Sequence, residues 1–484
     1  MKEKQKEETL DPNNWNTMRA TAHQMVDDMM DFLQSIDEQP VWKPIPEDVK
    51  ESYKSSLPHH GQPLEKVYQE FTREILPYYK GNIHPSFWAW VQGTGSPTAA
   101  MADMLASSMN SNVTIGEHSA MYIDAQVINW CKEMMGFESS ASGLLTSGGS
   151  MANFTALAVA RSTFTNHQVR FSGLRDLHSQ LVVYCSVETH SCVIKSIEVL
   201  GIGRDYIRMI PTDDQYMVDT NLMEQHIQAD IAADLQPFCI IANVGTVNTG
   251  SIDDLEKIRS LCDHYQLWMH VDGAFGALAK LLPAYEDRLK LIEKADSLVF
   301  DLHKWMYMPY EVGCVLFRSS EDHRATFAIE PNYLLKHDQG LAAGPDSLNN
   351  FGLELSRGFK ALKVWMSIKE QGINKFIRLI QQNVDQIDYL KKLVESHQDL
   401  ELCAPVTMNV LCFRYAPNGI NQEKLDEINK EIVMALQVRG IASPSSTILN
   451  GRYCIRVAHV NHRSKYTDFD QLVNEVLGIG RELY

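Results

Sequence analysis

Between residues 143 and 316 the chain alternates short, unbroken apolar runs with segments of helical period, and this alternation constrains the fold more than any other feature. The runs at 181–186, 238–244, 268–271, 298–300 and 313–317 lack the in-and-out pattern of a strand with one wet face. A strand that is apolar on both faces must be covered on both, which is the condition of a parallel sheet with crossover helices. Helices at 222–233 and 255–264 supply such crossovers. The expected fold class is α/β, a mostly parallel sheet covered by helices. Sheets of that kind bind ligands in the crevice beyond the carboxyl ends of their strands.

A chain of 484 residues exceeds one small core, and the flanks differ in character from the middle. Trp15, Met18, Ala22, Met25, Met29 and Leu33 recur at helical spacing through 14–36, giving one apolar stripe that is either core or a partner subunit's contact. Five prolines break 39–63 into an extended arm, in which His59-His60-Gly61 reads as a solvated turn. Helices are expected at 64–76, 98–109 and 120–135, and the polar, glycine-rich stretch 330–355 has the character of a lid. Beyond it, helices at 358–371, 374–396 and 422–439 with strands at 410–415 and 452–460 suffice for a small α+β domain. The division expected is a helical arm over 1–85, a large α/β domain over 86–372 and a small domain over 373–484.

A net charge of −17 argues against nucleic acid and against anionic membrane surfaces, both of which require an excess of Lys and Arg. No apolar run reaches the length of a membrane span, and the start, MKEKQKEETLDPNNW, is too charged for a signal peptide. The nine cysteines are scattered without a C-x-x-C pair, and several lie in apolar runs. They read as small buried hydrophobes of a reducing cytoplasm and neither as a disulfide frame nor as a metal site.

Four stretches at strand ends or helix starts carry candidate chemistry. TSGGSMANFTALAVAR places Gly148, Gly149 and Ser150 before an apolar helix, which makes either a plain N-cap turn or a backbone cradle for a phosphate. His190 follows a strand in SVETHSCV, and is either structural or laid against a ring. Asp272 ends the run LWMHVD, where a carboxylate in apolar surroundings must find a cationic partner or neutralise. Lys304, beside His303 in SLVFDLHKWMYMPY, either snorkels or is chemically employed. Partial burial is expected to lower its pKa, and a neutral amine attacks aldehydes. Together the four offer what pyridoxal phosphate needs: a phosphate cradle, a ring-stacking histidine, a carboxylate for the pyridinium and a Schiff-base lysine.

In these stretches the chain resembles the group II pyridoxal-phosphate-dependent amino acid decarboxylases, the family of aromatic-L-amino-acid and glutamate decarboxylases. SGGSMAN, HVDGAFG and D-x-HKW carry the resemblance, and PVWKPIP, HPSFWAW, MADMLASSMN and SRGFKALKVW extend it over nearly the whole chain. It implies a fold-type I homodimer with the N-terminal segment wrapped on the partner. It also implies Lys304 as the Schiff-base lysine, Asp272 at the pyridine nitrogen and His190 on the ring. Gly149, Ser150 and His303 would hold phosphate, Thr246 would lie near the ring, and Trp90 would stand in the substrate pocket, with Trp88 on the same aromatic wall. An L-amino acid would lose CO₂ as the pyridinium held by Asp272 accepts the electrons, and the amine would leave after protonation.

Two departures from the family pattern bear on product and substrate. Family members commonly carry a lid tyrosine that looks like the proton donor, whereas 334–352 holds none and Leu348 falls at its place. That opens an alternative in which decarboxylation is coupled to oxidative deamination, giving an aldehyde. The bulky residues that aromatic decarboxylases contribute from the partner subunit appear here as Asn112 and Thr114, closer to the glutamate-type pattern. An aromatic substrate is favoured, a glutamate-like one remains open, and a catalytically dead homologue is disfavoured by the joint presence of Lys304, Asp272 and His190.

Overall fold

The computed structural model describes residues 7–329 and 337–484. Its strands in chain order are β1 (Phe87–Trp88), β2 (Ser142–Thr146), β3 (Leu181–Ser186), β4 (Ile207–Ile210), β5 (Gln236–Asn243), β6 (Trp268–Asp272), β7 (Ser297–Asp301) and β8 (Gly313–Phe317). Four more follow: β9 (Leu400–Leu402), β10 (Val410–Tyr415), β11 (Ser443–Leu449) and β12 (Arg452–Ala458). Seven of them form one sheet in the order β2-β8-β7-β6-β5-β3-β4. All its neighbouring pairs are parallel except those of β8, which runs against both β7 and β2. The mostly parallel α/β sheet expected from the unbroken apolar runs is present, and β3, β5, β7 and β8 are almost wholly buried, as runs without alternation require.

Register decides where chemistry can occur. Asn243 of β5 pairs with Asp272 of β6, which pairs with Val299 of β7, so β5 and β6 end level while β7 runs on to Asp301 at the same edge. Helix Gly149–Phe164 starts at that same edge after β2, rich in Ala because it packs close against the sheet, with Ala152, Ala156 and Val159 in a common cluster with Val299 and Val315.

The second sheet, β1-β11-β12-β10-β9, gathers the C-terminal part under helices Ile373–Glu395, Gln422–Val438 and Tyr466–Leu483. Its core includes Ile387, Leu390, Phe413, Ile432 and Phe469. Strand β1, far earlier in the chain, joins its edge parallel to β11.

Some expectations need correction. The helix expected at 64–76 ends at Glu70, passes through a π turn over Phe71–Ile75 and closes as a 3-10 turn, Leu76–Tyr78, where Pro77 cannot donate to a further helical bond. The helix expected from 358 begins at Ala361. Helix Trp15–Gln34 is present but buries only Thr21, leaving Trp15 60% and Met18 39% exposed. His59 and His60 lie exposed in a bend. All nine cysteines are free and buried. Among the described residues no helix is long and apolar enough to cross a membrane.

Candidate active site

A cavity of about 680 Å³ opens at the carboxyl edge of the large sheet, between it and the smaller sheet. Its floor is the turn Ser147-Gly148-Gly149, where β2 gives way to the long helix. The backbone passes so close to its neighbours that a Cβ on Gly149 would meet Asp301 Oδ2 at 2.9 Å, and one on Gly313 would meet Gly148 Cα at 2.6 Å. Gly149 and Ser150 open the first turn of the helix, whose N–H groups have no partner within the helix and carry the positive end of its dipole.

Lys304 sits in the single helical turn Leu302–Trp305 that follows β7. Its Nζ lies 2.8 Å from Asp301 Oδ2, and the side chain is about one-fifth exposed. Asp301, the last residue of β7, is 1% exposed, and its Oδ1 has no hydrogen-bond partner among the described residues. Burial alone would lower the lysine's pKa, as the sequence suggests, but the Asp301 carboxylate outweighs it and the pKa is raised. That reverses the expectation. His303 turns Nδ1 to Val312 O at 3.0 Å, lies under the Tyr310 ring at 4.5 Å, and is held neutral-leaning by burial.

Asp272 ends β6 with 6% exposure. Its Oδ1 accepts from Ala274 N at 3.1 Å and its Oδ2 from Asn153 Nδ2 at 3.2 Å. Burial raises its pKa, while Lys304 and the Ala274 N–H pull the other way. His190 caps helix Ser191–Val199, Nδ1 accepting from Cys192 N at 3.2 Å, and burial lowers its pKa. Thr246, in the loop after β5, shares its hydroxyl with Thr249 and Ser251 at 3.1 Å each.

Gly149, Ser150, His190, Thr246, Asp272, His303, Lys304 and Trp90 all line this one cavity. Asn112, Thr114 and Leu348 do not line it within the chain. Thr114 Oγ1 donates to Leu355 O at 2.6 Å, Asn112 Oδ1 accepts from Arg357 N at 2.8 Å, and Leu348 N donates to Thr114 O at 2.8 Å. These residues stitch the segment after helix Pro97–Met109 to the segment before Arg357, and the Leu348 side chain packs on the core beside Leu144 and Val315. Within one chain Leu348 therefore stands away from the cavity. Trp88 is also misplaced by the sequence reading: it is 1% exposed, stacks on Phe469 at 4.8 Å and donates to Ser464, inside the core at the smaller sheet. The part of the expected lid at 330–336 lies outside the described residues.

Two residues at the cavity went unread. Asp301 was in view within D-x-HKW, but its distance from Lys304 belongs to the fold. Arg456 is 3% exposed on β12 and lines the cavity without an ion-pair partner among the described residues, donating instead to Trp90 O and Asn248 O at 3.2 Å and to Ser445 Oγ at 3.1 Å. An Arg in the middle of the strand RYCIRVAHV, flanked by Ile455 and Val457, was the signal for it, since a buried charge needs a reason.

Comparison with known proteins bears on this geometry. The conserved domain of pyridoxal-dependent decarboxylases matches residues 46–416. An aromatic-L-amino-acid decarboxylase of Bacillus atrophaeus is 34% identical over 470 residues, covering 96% of each chain. Among solved structures, Oryza sativa TDC with PLP and tryptamine superposes with a TM-score of 0.90 at 24% identity, covering 98% of this chain and 99% of that one. Rhodiola rosea 4-hydroxyphenylacetaldehyde synthase gives 0.87 at 21%, covering 98% and 99%. The fold is that of these enzymes, and the chain belongs to the pyridoxal-dependent decarboxylase family.

Proposed function

We propose that this enzyme removes CO₂ from an L-amino acid, with aromatic side chains favoured, and that Lys304, Asp272, His190 and the Ser147–Ser150 turn are the working parts. One observation carries the reading: these residues, dispersed over more than 150 positions, converge on a single cavity. The donor set fits pyridoxal phosphate. The close-packed glycine turn leaves room and N–H groups for an anion, His303 stands beside it, and Asp272 presents a buried carboxylate whose charged form wants a cationic partner. Lys304 would hold the aldehyde carbon covalently, Asp272 the pyridine nitrogen, His190 the ring face, with Thr246 alongside, and Gly149, Ser150 and His303 the phosphate. When bound, the cofactor supplies an electron sink for the pair left behind by CO₂.

The chain's own residues do the rest. Arg456 offers an incoming carboxylate a guanidinium whose present partners are all neutral oxygens. Trp90 supplies an aromatic wall, half exposed and with Lys80 Nζ 4.7 Å from its ring centre. A proton must replace the lost carboxylate on the substrate carbon, and 334–352 offers no tyrosine to give it. The aldehyde reading, which rests on that missing tyrosine, stands second to simple decarboxylation. We further read the protein as a cytoplasmic homodimer with 1–85 as its dimerisation arm, 86–372 as the cofactor domain and 373–484 as the small domain. The unpartnered stripe of helix Trp15–Gln34 and the nine free cysteines support this.

The test is direct. Purified protein should be yellow, and borohydride reduction followed by peptide mapping should place the pyridoxyl label on Lys304; a label elsewhere sinks the assignment. A panel of L-amino acids assayed for CO₂, amine, ammonia and peroxide should give amine and CO₂ in equal amounts, best with an aromatic substrate. Peroxide in stoichiometric yield from the unmodified enzyme would instead favour the aldehyde reading, and Leu348→Tyr should then raise the amine share.

A further inference from the structure

A buried hydrogen-bond chain runs behind the cavity to Asp272. Trp268 Nε1 donates to Ser297 Oγ at 2.8 Å, and Ser297 Oγ lies 2.8 Å from His270 Nδ1. His270 Nε2 lies 2.7 Å from Asn153 Oδ1, and Asn153 Nδ2 reaches Asp272 Oδ2 at 3.2 Å and Gly149 O at 2.9 Å. Asn153, His270 and Ser297 are all 0% exposed, so each donor and acceptor must be met from within the chain.

Only one arrangement of protons satisfies all of them. An indole N–H only donates, so Ser297 Oγ accepts from Trp268 and its own proton goes to His270 Nδ1. His270 is neutral, burial pushing its pKa down to about 3, so its single proton sits on Nε2 and is donated to Asn153 Oδ1. Turning the amide of Asn153 over would set its oxygen against the Asp272 carboxylate and its N–H against that of His270. The chain therefore holds the Asn153 N–H on Asp272. Because the same NH₂ also meets Gly149 O, one side chain links the glycine turn to the carboxylate.

We propose that Asn153, locked by His270, Ser297 and Trp268, is a positioning residue that fixes the aim and charge of Asp272. This rests on reading Asp272 as the partner of the pyridine nitrogen. With Ala274 N on Oδ1 and Asn153 on Oδ2, both carboxylate oxygens are held and rotation is blocked. Loss of a hydrogen bond to a charged group predicts a fall of roughly ten- to a hundredfold in kcat for Asn153→Leu, with KM changed by less than about threefold. Pyridoxal phosphate titrated into the variant's apoenzyme should bind weaker by a similar factor, and the visible band of the bound cofactor should move toward that of Asp272→Asn. His270→Gln keeps a donor near the place of Nε2 and should stay close to wild type. His270→Asn cannot reach, should match Asn153→Leu, and should add nothing to it in the double variant. Should Asn153→Leu not fold, the His270 pair carries the comparison, and equal affinity and spectrum in His270→Gln and His270→Asn would overturn the proposal. So would wild-type affinity and spectrum in Asn153→Leu while Asp272→Asn loses both. If Asp272→Asn itself retains both, the reading of Asp272 fails and the positioning role falls with it.

Discussion

A lysine ammonium 2.8 Å from a carboxylate that is itself 1% exposed forms a pair in which each half depends on the other. Without Asp301, desolvation would be opposed only by the smaller pull of Asp272 and Tyr310, and the Lys304 pKa would fall. Asp301→Asn, nearly isosteric, should therefore move the pH profile of cofactor incorporation into the apoenzyme toward lower pH by at least about one unit, since the neutral amine is the nucleophile. An unchanged profile would show that Asp301 does not control the amine. Asp272→Ala has a different signature. It removes the one carboxylate at the proposed pyridine-nitrogen position, and losing a buried charge partner should cost on the order of a thousandfold in kcat. Activity within about tenfold of wild type would mean that another acid serves.

Elements impose constraints that single residues do not reveal. Helix Ser119–Met135 carries Asp124, 2% exposed, toward Arg357 and Lys360 from the segment before helix Ala361–Gln371. Arg357 is already engaged by Glu354 at 3.3 Å and Leu145 O at 2.7 Å, and Lys360 by Glu311 at 3.5 Å. Burial consequently wins, and the Asp124 pKa rises to about 6 despite both cations. In the unfolded chain it is near 3.9, so between about pH 4 and 6 the folded state keeps a proton that the unfolded state releases. Stability from this site thus falls as pH rises through that window, by on the order of 1–3 kcal/mol at most. Asp124→Asn removes the titration, and its Tm relative to wild type should be more favourable at pH 7.5 than at pH 4.5. Equal differences at both would show Asp124 ionised throughout.

Legibility at this scale followed how far local chemistry decides the outcome. Strands β3 and β8 match the expected runs at 181–186 and 313–317 to the residue, because an unbroken apolar run must be covered on both faces whichever way its neighbours run. Strand β2 opens on Ser-Gly, β4 carries Arg208, and β11 holds Pro444 with Ser445 and Ser446; these are strands because of their neighbours, and the sequence around them does not say so. Trp88 and Trp90 would share a face if the strand continued, but β1 stops at Trp88 and the left-handed backbone at Trp90, φ 57°, turns the second ring to the cavity. The cavity's motif residues were legible because each ends a strand or starts a helix. The hold of Asp301 on Lys304 and the reach of Arg456 were not, since both depend on distances between elements.

For the whole molecule, the question is how the two sheets close the cavity and what covers the N-terminal helix. Asn383 of helix Ile373–Glu395 accepts from Trp305 Nε1 at 3.0 Å and Tyr307 OH at 2.8 Å and reaches His459 Nε2 at 3.0 Å, so the turn bearing Lys304 is bolted to the smaller sheet's side. Arg456 crosses the same boundary to the loop after β5 through Asn248 O. The chain thus closes its cavity on the sheet side. The N-terminal helix is held more lightly: Tyr68 donates to Asp28 at 2.6 Å and Phe32 meets Tyr79 edge-on, but Trp15 and Met18 stand exposed and Thr21 alone is buried, though an apolar stripe in water costs roughly 25 cal/mol for each Å² left uncovered. A second copy related by a twofold axis can cover both stripes at once, the commonest solution for a self-complementary surface. Sedimentation at micromolar concentration should give a single species near twice 54.9 kDa. Replacing Trp15 and Met18 by Gln should weaken that species and lower activity in step with the fraction dissociated, activity per dimer staying constant. A stable monomer with full activity would refute the dimer and leave the exposed stripe to another partner.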